Sequence, residues 1–317
     1  LRSFILKRMA TAIPTLLGMS MLGFFMVALT PGDPVEMELR RLGVIFTPDQ
    51  VVALRQEYGL DQPIFKRYLD WLIRLLHLDM GQSIASGRSV LEEFKTHLPL
   101  TLTLASLSLA LSILLSVLFG ITAALTRSKV LESFVQFFSI FMVSIPSFWL
   151  ALLLLFIFAL SLEWISLLGS GAWYDLVLPV LTLSLGSAAT MGRLIRDRIL
   201  AVMSEDYIRL AIAKGLPPTL ILRRHIMKSI LPPLVTNWAV TFGALLGGSV
   251  IVENIFNLPG LGQMALQAVF ERDFAILQAY LLFMGLIFFV SNFIADLLNY
   301  WLTPHFREQN NSQMATK

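Results

Sequence analysis

Ser204–Pro233 reads SEDYIRLAIAKGLPPTLILRRHIMKSILPP, a polar island lodged between two apolar runs that carry no Asp, Glu, Lys or Arg. Eight Lys/Arg fall within Arg193–Lys228, and a short connection between spans that rich in basic residues faces the cytoplasm. Its internal order describes a small folded element. Ser204 is placed to cap a helix, with Glu205 and Asp206 at the positive end of its dipole. Ile208, Ala211 and Ile212 make a narrow apolar stripe, and Gly215 suits a left-handed stop. Pro217-Pro218 cannot continue that helix but can begin the next, Thr219–Lys228, which brings Arg223, Arg224, His225 and Lys228 to the membrane surface. Leu231-Pro232-Pro233 is expected to kink the start of the following span. A short exposed helix with an alanine stripe suits a groove of another protein; an interfacial helix resting on anionic lipid fits the same pattern.

Outward from the island, the chain is apolar. It has 317 residues, 56% hydrophobic and 14% charged, against about 25% charged in soluble domains. Six runs lack charged residues: Met9–Gly32, Thr96–Thr126, Ser133–Leu162, Leu176–Gly192, Ser229–Val252 and Phe274–Ala295. Each approaches or exceeds the roughly 20 residues needed to cross a bilayer. The first follows Lys7 and Arg8 as a signal peptide would, but it outruns an h-region of about 7–15 residues and is read as a retained span. Basic residues at the N-terminus (Arg2, Lys7, Arg8), at Arg127 and Lys129, and in the island contrast with Glu163–Asp175, which has none, and Glu253–Asp273, which has only Arg272. Both termini are therefore expected in the cytoplasm. The net charge of +3 reflects loop residues and not a nucleic-acid face.

The loop after the first span has helical patterning. Thr47-Pro48-Asp49-Gln50 reads as a cap, a first-turn proline and an acidic first turn, with a stop at Gly59. Ile64–Leu78 places Ile64, Tyr68, Trp71, Leu72 and Leu75 on one face. Asp79-Met80-Gly81-Gln82-Ser83 turns the chain back, and Gly87-Arg88-Ser89-Val90 is expected to start a short helix. A structured cap and a partner-binding element are both compatible with this loop.

Within the spans, Gly243, Gly247, Gly248 and Ser249 permit close helix approach or a cavity wall. Glu253 stands where the fifth span leaves the bilayer, a position suited to gating or substrate contact. Asn292, Asp296 and Asn299 share a face near the end of the sixth span, suited to structural pairing. Pro146 and Pro179 are expected to kink the third and fourth spans. With no cysteine there is no thiolate metal site or Cys nucleophile, and the four histidines have no ligand-like spacing, so neither a metal site nor a catalytic set is expected. No G-x-x-x-x-G-K-[ST], H-E-x-x-H or G-x-S-x-G occurs. An ion-coupled secondary transporter and a membrane-embedded protease remain as alternative readings; mid-span charges and inverted repeats, the marks of the former, are not evident.

Asp206-Tyr207-Ile208-Arg209, Ala211, Ala213-Lys214-Gly215-Leu216-Pro217 and Leu231-Pro232 resemble the coupling loop of ABC-importer permeases, in the form found in the dipeptide/oligopeptide/nickel family. Arg209 stands where that loop usually has Glu, Leu210 replaces an Ala and Ser229 an Ile. Other stretches match in order: Leu29–Pro34, Tyr58–Pro63, Asp79–Ser83, Ile145–Trp149, Leu178-Pro179, Gly247–Phe256, Pro259–Gly262, Arg272–Phe274 and Asn292 with Asp296. Thr303–Arg307 departs from the usual ending. The resemblance implies an all-α polytopic permease of about six spans with the type I ABC-importer fold and a helical outer loop, set in a bacterial inner membrane. It divides the chain into a first span with outer loop (1–98), a five-helix core (99–307) containing the coupling loop 193–229, and a disordered tail (308–317).

The resemblance further implies a second homologous permease as heterodimer partner, two ATPase subunits that bind the ATP and Mg, and an extracytoplasmic binding protein. Asp206, Tyr207, Arg209, Ala211, Ala213, Lys214, Gly215 and Pro232 would couple to the ATPase. Pro146, Ser147, Gly247, Gly248, Ser249, Glu253 and Asn254 are the pathway or gate candidates. The cargo is a nickel or metal chelate or a di- or oligopeptide; the run Trp71, Leu76–Asp79, Ala85-Ser86, Arg88 and Val90-Leu91 is closer to nickel permeases.

Overall fold

A backbone in hydrocarbon can satisfy its polar groups within a helix, and the apolar runs accordingly form helices. The computed structural model describes residues 2–29, 35, 39, 47–57, 59–83, 85–126, 128–164 and 173–302. The expected tail, Thr303–Arg307 and most of Leu29–Pro34 lie outside them. The helices are α1 (Arg2–Ala28), α2 (Pro48–Glu57), α3 (Ile64–Leu76), α4 (Val90–Leu125), α5 (Lys129–Ser144), α6 (Ser147–Leu155), α7 (Val177–Met203), α8 (Asp206–Ala213), α9 (Pro218–Ile221), α10 (Met227–Ile255), α11 (Leu261–Glu271) and α12 (Phe274–Leu302). A π turn, Phe156–Ser161, extends α6, and another, Leu222–Ile226, joins α9 to α10. No strand forms among the described residues.

Among the described residues, five segments are long and apolar enough to span: Arg8–Ala28, Val90–Leu125, Tyr174–Met203, Pro218–Ile255 and Phe274–Leu302. The sixth, Glu132–Ser144 with Ser147–Ser161, is bent by 100°. The expected kink at Pro146 is thus a break. Proline lacks the N–H that would carry the helix on and disfavours helical geometry at the residue before it, Ile145, so Pro146 starts α6 as its N-cap. Pro179, by contrast, kinks nothing. It is the third residue of α7, where an N–H has no intrahelical acceptor to lose. Pro232 and Pro233 likewise sit inside a continuous α10, and the irregularity lies upstream in the π turn.

The chain divides into two compact units. The first comprises Leu1–Pro99 and Pro259–Leu286. In it Thr47 precedes the first residue of α2 as expected, and the side-chain bond there is made by Gln50, whose Oε1 accepts from the Thr47 N–H at 2.9 Å. The aromatic face of α3 packs Tyr68 and Trp71 on Phe24 of α1, and the Tyr68 and Ser20 hydroxyls are 2.7 Å apart. Val90 and Phe94 of α4 join Leu261, Met264 and Ala268 of α11 and Ile276 of α12 in a second core. No separate short helix follows Gly87: a left-handed turn there leads directly into α4.

Asp273 ties this unit together. Fully buried, it accepts from the Ser83 hydroxyl at 2.6 Å and the Ala85 N–H at 3.2 Å, and it caps α12 through the Ile276 N–H at 3.3 Å. The second unit comprises Leu100–Leu258 and Ile287–Lys317. There α7 is the hub on which α5, α6 and α10 pack. It also meets α4 closely: a methyl group on Gly120 would lie 2.6 Å from Ile195 Cβ. Gly120 ends a ladder of buried small residues, Ser108, Ser112 and Ser116, that clears the way for this crossing.

Replacing Asp273 by Ala leaves the Ser83 hydroxyl and two backbone donors without their acceptor. The expected loss is about 3 kcal/mol, at roughly 1 kcal/mol net for each of the three hydrogen bonds, read as a lower thermal unfolding midpoint of the purified protein. Asp273→Asn, which keeps an acceptor oxygen, is expected to lose less.

Candidate functional site

The polar island folds as two short helices on the end of α7. Ser204 does not cap α8; it is helical, and its hydroxyl donates back to Ala201 O at 2.7 Å, closing α7. The extended residue Glu205 begins α8 instead. The stop is as expected: Gly215 has φ +75°, the Gly215 N–H donates to Ile212 O at 2.9 Å, and the Leu216 N–H to Ala211 O at 3.3 Å. This pair of bonds satisfies the last carbonyls of the helix and requires a left-handed residue.

Ile208 and Ala211 are buried against Ile195 and Ile199 of α7, Ile221 of α9, Ile226, and Ile230 and Leu234 of α10. The alanine stripe is therefore the internal face of α8. Ile212, expected in that stripe, is 57% exposed, about 100° round the helix from the buried Ala211. Asp206, Tyr207, Arg209, Leu210, Ala213, Lys214 and Gly215 are all exposed, Leu210 by 56%. Arg209 and Asp206 lie 3.6 Å apart in an exposed pair that adds little to stability. The Tyr207 ring centroid is 6.5 Å from that of His225, which lies in the π turn. Pro232 lies in the second turn of α10, half-buried and apart from α8. Arg196 of α7, two turns before the island, pairs with Glu132 of α5.

The pathway candidates separate. Ser147, at the start of α6, and Gly248 of α10 line one cavity of about 320 Å³ with Met142, Thr182, Ser187 and Thr190. No charged residue lines it. Pro146 stands exposed at the break beside it, and Gly247 faces open space. Gly243 serves close approach, since a methyl there would lie 2.6 Å from the Phe288 ring of α12. Ser249 and Glu253 are fully buried. Glu253 accepts from the Thr101 hydroxyl of α4 at 2.8 Å, an anchoring contact inside the unit. Asn254 donates to Val250 O within its own helix at 2.9 Å. Asn292 likewise bonds Phe288 O, while Asn299 reaches across to the Thr236 hydroxyl at 2.6 Å and Asp296 is half-buried. Thr182, Ser187 and Thr190 were not singled out by sequence; their spacing on α7, which puts three small hydroxyl residues near one another in an otherwise apolar run, was the available signal.

The family described as "Binding-protein-dependent transport system inner membrane component" matches residues 116–308. The chain belongs to this family. Its N-terminal companion, described as "Binding-prot-dependent transport system membrane comp, N-term", matches residues 1–105. Among similar proteins, a Brucella abortus chain provisionally named a peptide transport system permease is 35% identical over 313 residues, covering 96% of this chain and 99% of that one. The glutathione transport system permease protein GsiC of Salmonella typhimurium is 36% identical over 309 residues, with coverage of 96% and 99%. The inward-facing MetNI methionine ABC transporter aligns with a TM-score of 0.56 at 18% identity, over 67% of this chain and 97% of that one. That likeness carries the fold, the type I ABC-importer permease architecture. The protein is thus a multi-pass inner-membrane permease subunit of an ABC importer.

Glu253→Ala removes a buried carboxylate oxygen that accepts from the Thr101 hydroxyl, and a loss of about 1–3 kcal/mol is expected. Glu253→Gln keeps an oxygen for that hydroxyl and is expected to retain most of the stability and transport. The check is thermal unfolding alongside uptake for both variants.

Proposed function

We propose that this permease passes di- or oligopeptides by alternating access, and that the outward face of α8 receives the movement of the ATPase subunits. The complex contains a second homologous permease, two ATPase subunits that hold the ATP and Mg, and an extracytoplasmic binding protein, with both termini of this chain in the cytoplasm. The observation that supports the coupling role is the one-sided burial of α8. Ile208 and Ala211 lock it to α7 and α10, while Asp206, Tyr207, Arg209 and Leu210 are left exposed on the opposite side. Force applied to that exposed face reaches two long helices through one apolar contact.

Peptide cargo is favoured over nickel by relatives whose names carry peptide and glutathione transport and which align over almost the whole chain. We assign the path to the cavity between α6, α7 and α10, which is lined by hydroxyl and apolar side chains. Closure of the ATPases would tilt α7 and α10 and open the path outward; hydrolysis would return it inward.

The test is uptake by the reconstituted complex in vesicles. Tyr207→Ala combined with Leu210→Glu is expected to lower ATP-dependent peptide uptake at least tenfold, while leaving the unfolding midpoint within about 2 °C, as surface changes of ±0.5 kcal/mol would. Uptake that persists without ATPase subunits, driven by a proton or sodium gradient, would overturn the reading. So would competition by nickel chelates and none by dipeptides, for the cargo alone.

A further inference from the structure

The outer-loop helix α3 has more apolar surface than the protein covers. Around its axis, Ile64, Tyr68, Trp71, Leu72 and Leu75 occupy the arc against α1. Phe65, Leu69, Ile73 and Leu76 fall on the adjoining arc and are 65%, 55%, 55% and 77% exposed. The remaining arc holds Lys66, Arg67, Asp70 and Arg74. Apolar residues thus take a little over half of the helix, but tertiary packing uses only half of those.

The depth of α3 identifies what covers the rest. Its Tyr68 hydroxyl is 2.7 Å from that of Ser20, eight residues before the end of α1 at Ala28, or about 12 Å along the axis at roughly 1.5 Å per residue. The rings of Tyr68 and Trp71 meet Phe24, and that of Phe65 meets Phe25 at 5.6 Å. The helix therefore lies alongside the last turns of a spanning segment, not beyond its end. On α1 the neighbouring residues Leu22, Met26 and Leu29 are exposed too, so the uncovered arc of α3 continues an apolar surface already at membrane depth.

We infer that α3 is embedded in the leaflet at the C-terminal end of α1, with Phe65, Leu69, Ile73 and Leu76 among lipid acyl chains and Lys66, Arg67 and Arg74 toward the headgroups. Half-burial of an amphipathic helix at the headgroup boundary, about 5–10 Å deep, is the geometry that such a division of arcs satisfies. That leaflet is the outer one under the orientation proposed above; the embedding itself rests on the packing of α3 and α1 alone.

The chain has no cysteine, so Leu69→Cys, Ile73→Cys and Asp70→Cys each give a unique nitroxide site in the whole complex, assembled with cysteine-free partners in lipid bilayers. Collision rates are read with oxygen, which concentrates in acyl chains, and with a water-soluble nickel chelate. At positions 69 and 73 oxygen is expected to dominate, and at position 70 the chelate. Chelate access at 69 and 73 equal to that at 70 would overturn the embedding. Shielding of 69 and 73 from both relaxants would overturn it too, in favour of a protein partner on this face. Neither reading depends on ATP or cargo, so failure here is distinct from failure of the transport reading.

Discussion

Two side chains hold the short helix α8 in place. An isolated helix of eight residues is far too short to persist in water, and α8 exists because Ile208 and Ala211 bury against isoleucines from α7, the π turn and α10. Burial of an isoleucine contributes roughly 1.5–3 kcal/mol, enough to hold so short a helix against fraying once Gly215 has closed its last turn. The same contact makes α8 a lever. It cannot shift without moving Ile195, Ile199 and Ile230, and these sit on helices that also wall the cavity at Thr182 and Gly248. The cavity and α8 thus share two long helices, α7 and α10.

Elsewhere the fold depends on a few buried polar anchors in apolar surroundings, where an unsatisfied group is costly. Asp273 fastens the returning loop to α12, and Glu253 fastens α4 to α10 through Thr101. Both acids lie at the ends of apolar segments, and both bond groups far away in sequence. Their value is in fixing the helix ends against one another, which leaves the uncharged cavity wall free of that duty.

Most of the helices were legible in the sequence, because runs without charge have few alternatives in a membrane. The stop at Gly215, the start of α2 after Thr47 and the aromatic face of α3 were legible for local reasons of the same kind. What escaped was whatever needed a partner from afar. The stripe of Ile208, Ala211 and Ile212 was expected to meet another protein or lipid; Ile208 and Ala211 instead bury within the chain and Ile212 is exposed, because periodicity cannot say whether a groove belongs to the same chain. Ser83 and Asp273 each stood out in sequence without any sign that they meet. Gly243–Ser249 drew attention as a small-residue cluster, yet one of the tightest crossings falls at Gly120, at the end of a serine ladder that passes for an ordinary polar scatter. Pro146 and Pro179 look alike in sequence; position within the helix made one a break and the other inconsequential.

The coupling role proposed for α8 requires its exposed face, and not its buried one, to meet the ATPase. Because the chain has no cysteine, Leu210→Cys on the exposed face and Ala211→Cys on the buried face of the helix can be compared by disulfide trapping in the assembled transporter, against cysteines placed in turn across the ATPase surface. We expect Leu210→Cys to form a covalent adduct with the ATPase subunit and Ala211→Cys to form none. Trapping through Ala211, with Leu210 unreactive, would contradict the assignment of the faces and with it the route by which force enters the permease.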